Sequence, residues 1–89
     1  MTNEKLRTQL EDLHAELQKA AALDTRQREL LRTLADDINH LLRRDENEPD
    51  HYRSLSERLS DDVAQLEASH PRITLLMRNA IDSLAYLGI

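Results

Sequence analysis

The chain has 89 residues, 33% of them charged, a formal net charge of -5, no Cys, Phe or Trp, and one Gly. Without cysteine there is neither a disulfide frame nor a thiolate site, and an acidic balance speaks against general affinity for nucleic acid, which comes mostly from cations neutralising phosphates. With 39% hydrophobic residues and almost no aromatics, the composition is that of long solvated helices rather than of a sheet protein.

One helical domain over residues 1–89 is expected, and a monomer of this size buries only about 60% of the surface of its unfolded chain. Met1 to Lys5 is polar and opens directly on an amphipathic pattern, without the apolar segment of a secretory signal. No stretch approaches the roughly 20 apolar residues of a membrane span. The expectation is a cytoplasmic protein with no membrane and no nucleic-acid partner.

From Glu4 to Ala21, Leu6, Leu10, Leu13, Leu17 and Ala20 recur at alternating spacings of four and three, a narrow coiled-coil seam. Gly and Pro are absent, and the surface positions hold good helix formers. The spacing predicts a first helix over about residues 4–21. Asp24 can cap the next helix, with Gln27 reaching back to the Asp24 N–H as a capping box. That second helix is expected over about residues 25–44, with Leu31, Leu34, Ile38 and Leu41 in its seam and Leu30 and Leu42 broadening it. Arg43 and Arg44 fall where the negative end of the helix dipole favours cations. The short connection favours an antiparallel hairpin, and the absence of Gly and Pro there keeps one continuous helix as the alternative.

Asp45 to Asp50 is an acidic loop broken by Pro49. A third helix over about residues 50–68 can begin at Pro49 or Asp50, with Tyr52, Leu55, Leu59, Val63 and Leu66 as a narrow seam. Pro71, with its fixed φ and no N–H, suits the first position of a fourth helix over about residues 71–87. Ser69 or His70 stands at its N-cap and Gly88 at its C-cap. Ile73, Leu76, Met77, Ala80, Ile81, Leu84 and Leu87 form the widest apolar stripe of the chain, one that faces several neighbours. A sharp reversal at Pro71 gives two stacked helical hairpins; a shallow bend leaves a long arm whose apolar face another molecule must cover.

The fold class is therefore all-α: a helical hairpin plus two further helices joined at a Pro kink, in coiled-coil or four-helix-bundle packing that oligomerisation completes. Ile73, Met77, Ile81, Leu84 and Leu87 are the candidate interface, and Tyr86 is expected at the edge of the core.

Residues that could carry chemistry are few. Each histidine follows an acid at three positions: Glu11 and His14, Asp37 and His40, Glu48 and His51, Glu67 and His70. Glu-x-x-His pairs on facing helices can hold a metal pair, so a metal-binding bundle using Glu67, His70, Glu11 and His14 is the alternative function. With Leu10 and Leu13 in the first seam, however, Glu11 and His14 lie at its flank, and Asp37 and His40 turn outward. Surface i, i+3 pairing is the plainer reading. His70 before Pro71 can titrate towards a partner or simply cap and stop. Asp61 and Asp62 are adjacent, so their side chains diverge around the helix. The serines lie in helical patterns without a Gly-rich elbow, and no phosphate-cradling loop exists. No catalytic residue, cofactor or metal ligand is expected, and the chain is read as no enzyme. Arg26, Arg28, Arg32, Arg43 and Arg44 are interleaved with acids, which suits a solvated face more than a docking surface.

Asn3-Glu4-Lys5-Leu6 leading into Leu10, Leu13-His14 and Leu17, then Glu67-Ala68-Ser69-His70-Pro71, and finally Leu84 with Gly88-Ile89, resemble a family of short bacterial proteins, domain of unknown function 4404. The likeness covers nearly the whole length, and its most specific parts are the His-Pro junction and the Gly-Ile end. It implies a bacterial, cytoplasmic, all-helical protein and brings no activity or cofactor. The functional expectation is a self-associating protein–protein interaction module, a homodimer or higher homo-oligomer, with room for an unidentified protein partner.

Overall fold

A computed structural model describes residues 2–44 and 48–86. It contains four α-helices, α1 Thr2–Lys19, α2 Thr25–Arg43, α3 Pro49–Leu66 and α4 Pro71–Tyr86, and no strand among the described residues. Each helix packs on two neighbours in the ring order α1, α2, α3, α4 and back to α1, while the backbones of the diagonal pairs stay apart among the described residues. The longest dimension is 36 Å, one 18-residue helix of about 27 Å plus its turns. The chain therefore runs up, down, up and down as a four-helix bundle. None of its helices is long and apolar enough to cross a membrane.

The turns explain why each helix stops. Asp24 is extended (φ -154, ψ 178) and its Oδ1 accepts from the Gln27 N–H at 2.8 Å, a cap worth about 1 kcal/mol. Gln27 does not close the box expected of it: its Oε1 accepts from the N–H of Leu23 rather than of Asp24, at 2.8 Å. This local bonding ends the continuous-helix alternative, and α1 and α2 form a hairpin. At the start of α3, Pro49 holds the first position, and the Glu48 N–H donates to His51 Nδ1 at 3.0 Å. Between α3 and α4 the His70 N–H still donates to Leu66 O at 2.7 Å, after which Pro71 begins a new axis and the Thr74 N–H donates to His70 O at 3.1 Å. The bend is a sharp reversal, since α3 and α4 pack against each other along their length.

The core is one cluster. Leu6, Leu10, Leu13 and Leu17 of α1 meet Leu31, Leu34, Ile38 and Leu41 of α2, and Leu55, Leu59 and Leu66 of α3 meet Ile73, Met77, Ala80 and Leu84 of α4. Each fully buried Leu stabilises by roughly 1.5–3 kcal/mol, against about 0–1 kcal/mol for a surface ion pair. Leu76 and Ile81 are half-buried at the flanks of the α4 stripe. Tyr86, expected at the core edge, is 80% exposed.

Candidate functional site: the seam between α2 and α3

The apolar stripe of α4 faces inward. Ile73, Met77 and Leu84, expected at an interface between copies, are buried within the chain; Ile81 is half-buried, and Leu87 lies outside the described residues. The acid–histidine pairs are dispersed. Asp37 pairs with Arg58 and Glu67 with Arg78, His40 is exposed, and the half-buried His14 meets Gln18. Among the described residues no three His, Cys, Asp or Glu side chains gather as metal ligands do.

His70 has a structural occupation. Its Nε2 lies 2.7 Å from the carbonyl of Ala21, which can only accept, so Nε2 carries the proton. Its Nδ1 lies 2.8 Å from Ser69 Oγ, in hydrogen-bond contact, and Ser69 Oγ accepts from Gln27 Nε2 at 2.8 Å. Gln27, Ser69, His70 and Ala21 thus tie the α1–α2 turn to the α3–α4 turn at one end of the bundle. Thr74, one of two buried polar residues among those described, is also satisfied, its hydroxyl donating to Pro71 O at 2.9 Å.

The other buried polar residue is not satisfied. Asp62 is only 6% exposed, and its Oδ2 is buried without a hydrogen-bond partner. It stands in the line Leu55, Leu59, Asp62, Leu66, the inner face of α3, where the sequence suggests Val63; Val63 is half-buried beside it. The interval from Leu59 to Leu66 is filled equally by three plus four or by four plus three. Hydrophobicity selects Val63 and packing selects Asp62. The available signal was the strict heptad spacing of Leu55, Leu59 and Leu66 once Val63 is set aside. Asp61, next in sequence, is exposed, so the two carboxylates diverge as expected.

Asp62 turns towards α2, across the seam with the sparsest packing of the four. A groove of about 330 Å³ runs there, with Arg26, Glu29, Leu30 and Thr33 on the α2 wall and Arg58, Asp61, Asp62 and Gln65 on the α3 wall. Burial pushes the Asp62 carboxyl above its ordinary value of 3.8; Arg58 pulls it down, and the nearby charges of Asp61 and Asp37 add to the rise. A second groove of about 180 Å³ continues the seam past the Arg58–Asp37 pair towards His40 and His51. Wider depressions between α1 and α4 and between α1 and α2, about 490 and 600 Å³, contain no buried unpartnered polar atom.

Charges are unevenly paired around this seam. The ion pairs of the described residues engage Arg53, Arg58, Arg72 and Arg78 of α3 and α4. Arg26, Arg28 and Arg32 of α2 are exposed and form none.

No curated protein and no solved structure matches the chain. The sequence pattern of the domain of unknown function DUF4404 matches residues 6–89, almost the whole chain; the chain belongs to this family.

Proposed function

We propose that the chain is a self-associating helical interaction module, without catalytic chemistry of its own, and that its copies meet on the outer face of α2 and α3. The observation that carries this reading is the sparse α2–α3 seam, which holds a carboxylate in a core position with no hydrogen bond to its buried Oδ2. Leaving a buried polar group unsatisfied costs about 1–3 kcal/mol, and a second copy can supply what the chain does not. Half-buried Leu30 of α2 gives the same face apolar surface. The family resemblance supports a bacterial, cytoplasmic setting.

Light scattering on a sizing column, run at several concentrations, tests the reading. A mass that rises to a dimer or a higher closed oligomer is expected. A mass that stays at 10.3 kDa at every concentration would exclude self-association.

A further inference from the structure

Two residues after each member of the α4 core line comes an exposed one. Ile73, Met77, Ala80 and Leu84 are buried, while Leu75, Asn79, Asp82 and Tyr86 are all exposed. A step of two residues turns about 200° around a helix, so the second line stands opposite the first and keeps its heptad spacing, that of a coiled-coil seam. Isolated exposed apolar residues are ordinary on a protein surface. Here their placement is not isolated. Leu75 is 57% and Tyr86 80% exposed, and they stand at the two ends of one stripe with Asn79 and Asp82 between them. Within the described residues no hydrogen bond or ion pair holds the side chains of Asn79, Asp82 or Tyr86.

The stripe has the same chemical order from either end: apolar, polar, polar, apolar. Leu75 and Tyr86 lie about 8 Å to either side of the midpoint between Ala80 and Ile81, and Asn79 and Asp82 about 2 Å to either side. A twofold axis lying between two copies and crossing α4 at right angles at this level lays α4 end for end on its copy. Positions equally far from the midpoint then face each other, and closed homo-oligomers are mostly built on such contacts, in which one patch meets itself. We propose that the outer stripe of α4 is a docking surface for a second copy of the chain, antiparallel, with Leu75 packed on Tyr86 of the partner subunit and Asn79 facing Asp82 of the partner subunit. Tyr brings an amphipathic ring suited to an interface, and the Asn79 amide can donate to a carboxylate. Arg78, which its own chain pairs with Glu67, shares a flank of the helix with Asp82 four residues on. In the antiparallel pair it comes within about one residue's rise of Asp82 of the partner subunit, while the two Asp82 carboxylates are staggered by about 4–5 Å along the helix. A parallel pair would instead set Asp82 directly against its own copy and align the helix dipoles, both unfavourable. A contact one helix wide falls below the roughly 1,000 Å² of a stable interface, so the association is a weak one.

The contact lies on a different face from the α2–α3 seam and does not rest on it. Sedimentation equilibrium of the full chain, from micromolar to near-millimolar concentration, is measured for the wild type, Leu75→Glu, Leu23→Glu and Arg26→Glu. Leu23, 77% exposed at the α1–α2 turn, is off the stripe, and Arg26 lines the α2–α3 groove. Expected is association of the wild type and of Leu23→Glu with similar constants, and of Leu75→Glu at least about 10-fold more weakly. A Leu75→Glu variant that associates as the wild type does overturns the α4 contact, and so does a weakening no greater than that of Leu23→Glu, which means general charge repulsion. If Arg26→Glu alone weakens association, the α2–α3 face stands and the α4 contact falls; if Leu75→Glu alone weakens it, the reverse holds. Register is read separately. The chain has no cysteine, so Leu75→Cys and Tyr86→Cys variants, both at exposed positions, report only the new thiols. Mild oxidation should link the two variants to each other in a mixture and link neither alone, because like positions lie about 16 Å apart across the axis, beyond the reach of a disulfide. Linkage within one variant as readily as in the mixture overturns the antiparallel pairing. A wild type that is monomeric throughout overturns both this contact and self-association on the α2–α3 face.

Discussion

Two places where polar groups of the described residues enter the packed part of this bundle are treated in opposite ways. At the turn end, Gln27, Ser69, His70 and the Ala21 carbonyl bond to one another across chain separations of 42 and 49 residues. In the α2–α3 seam, Asp62 occupies a core position and has no partner for its buried oxygen. A satisfied network adds little net energy per bond but fixes which turns lie together. An unsatisfied carboxylate only subtracts from the stability of the isolated chain. The difference teaches where to look for function: the turn end is complete, and the seam is not.

The largest test of this contrast compares neighbours on one face of α3. Leu59 is fully buried and Asp62 nearly so. Leu59→Ala should lower stability by about 2–5 kcal/mol, through lost transfer energy and the cavity left behind. Asp62→Leu should instead raise the stability of the single chain by about 1–3 kcal/mol, removing an unsatisfied group and adding apolar contact. In a domain of this size each kcal/mol moves the thermal midpoint by about 4–8 °C. Calorimetry on dilute protein reads both signs, and a lower midpoint for Asp62→Leu would mean that the carboxylate is satisfied after all.

The turn end is expected to answer more weakly and always in the direction of loss. His70→Ala removes the bond to Ala21 O and leaves Ser69 without one partner. A cost of about 1–2 kcal/mol is expected in urea unfolding, and Gln27→Ala, which breaks the link to Ser69 and the bond from the Leu23 N–H, should cost about as much. Combining the two should cost less than their sum, because both belong to one network. Full additivity would mean the two bonds act independently, and the idea of a joined clamp would fail.

What the sequence made legible follows from these same distances. The Leu spacings of α1 and α2, the Asp24 cap and the Pro49 and Pro71 starts are local signals, and each appears in the structure. The sharp reversal after Ser69 was left open because a Pro at a helix start limits φ without fixing the angle of entry. The partner of His70 was beyond reach, since Ala21 is distant in the chain. Asp62 was hidden by Val63, the apolar residue next to it, because helix rotation within one heptad is set by what α2 and α4 present. The α4 stripe was read correctly as apolar and wide, yet its width serves α1 and α3 of the same chain.

The smallest expected effect is also the most specific to the seam. Burial raises the Asp62 carboxyl above 3.8 in the folded chain, with Arg58 opposing and Asp61 and Asp37 reinforcing the shift; Arg26 and Glu29 also line its groove from α2. Between 3.8 and the raised value, the native chain binds more protons at this site than the unfolded chain does. Stability from this group therefore falls as pH rises through that window and is restored as pH falls. Asp62→Asn keeps the shape and cannot titrate. The stability gap between this variant and the wild type, measured by urea unfolding on dilute protein, should narrow towards acid even while both lose stability through their other carboxylates. A gap that stays constant from neutral pH to below 4 would show that the Asp62 proton does not distinguish folded from unfolded chains, and would remove the argument that burial penalises its charged form.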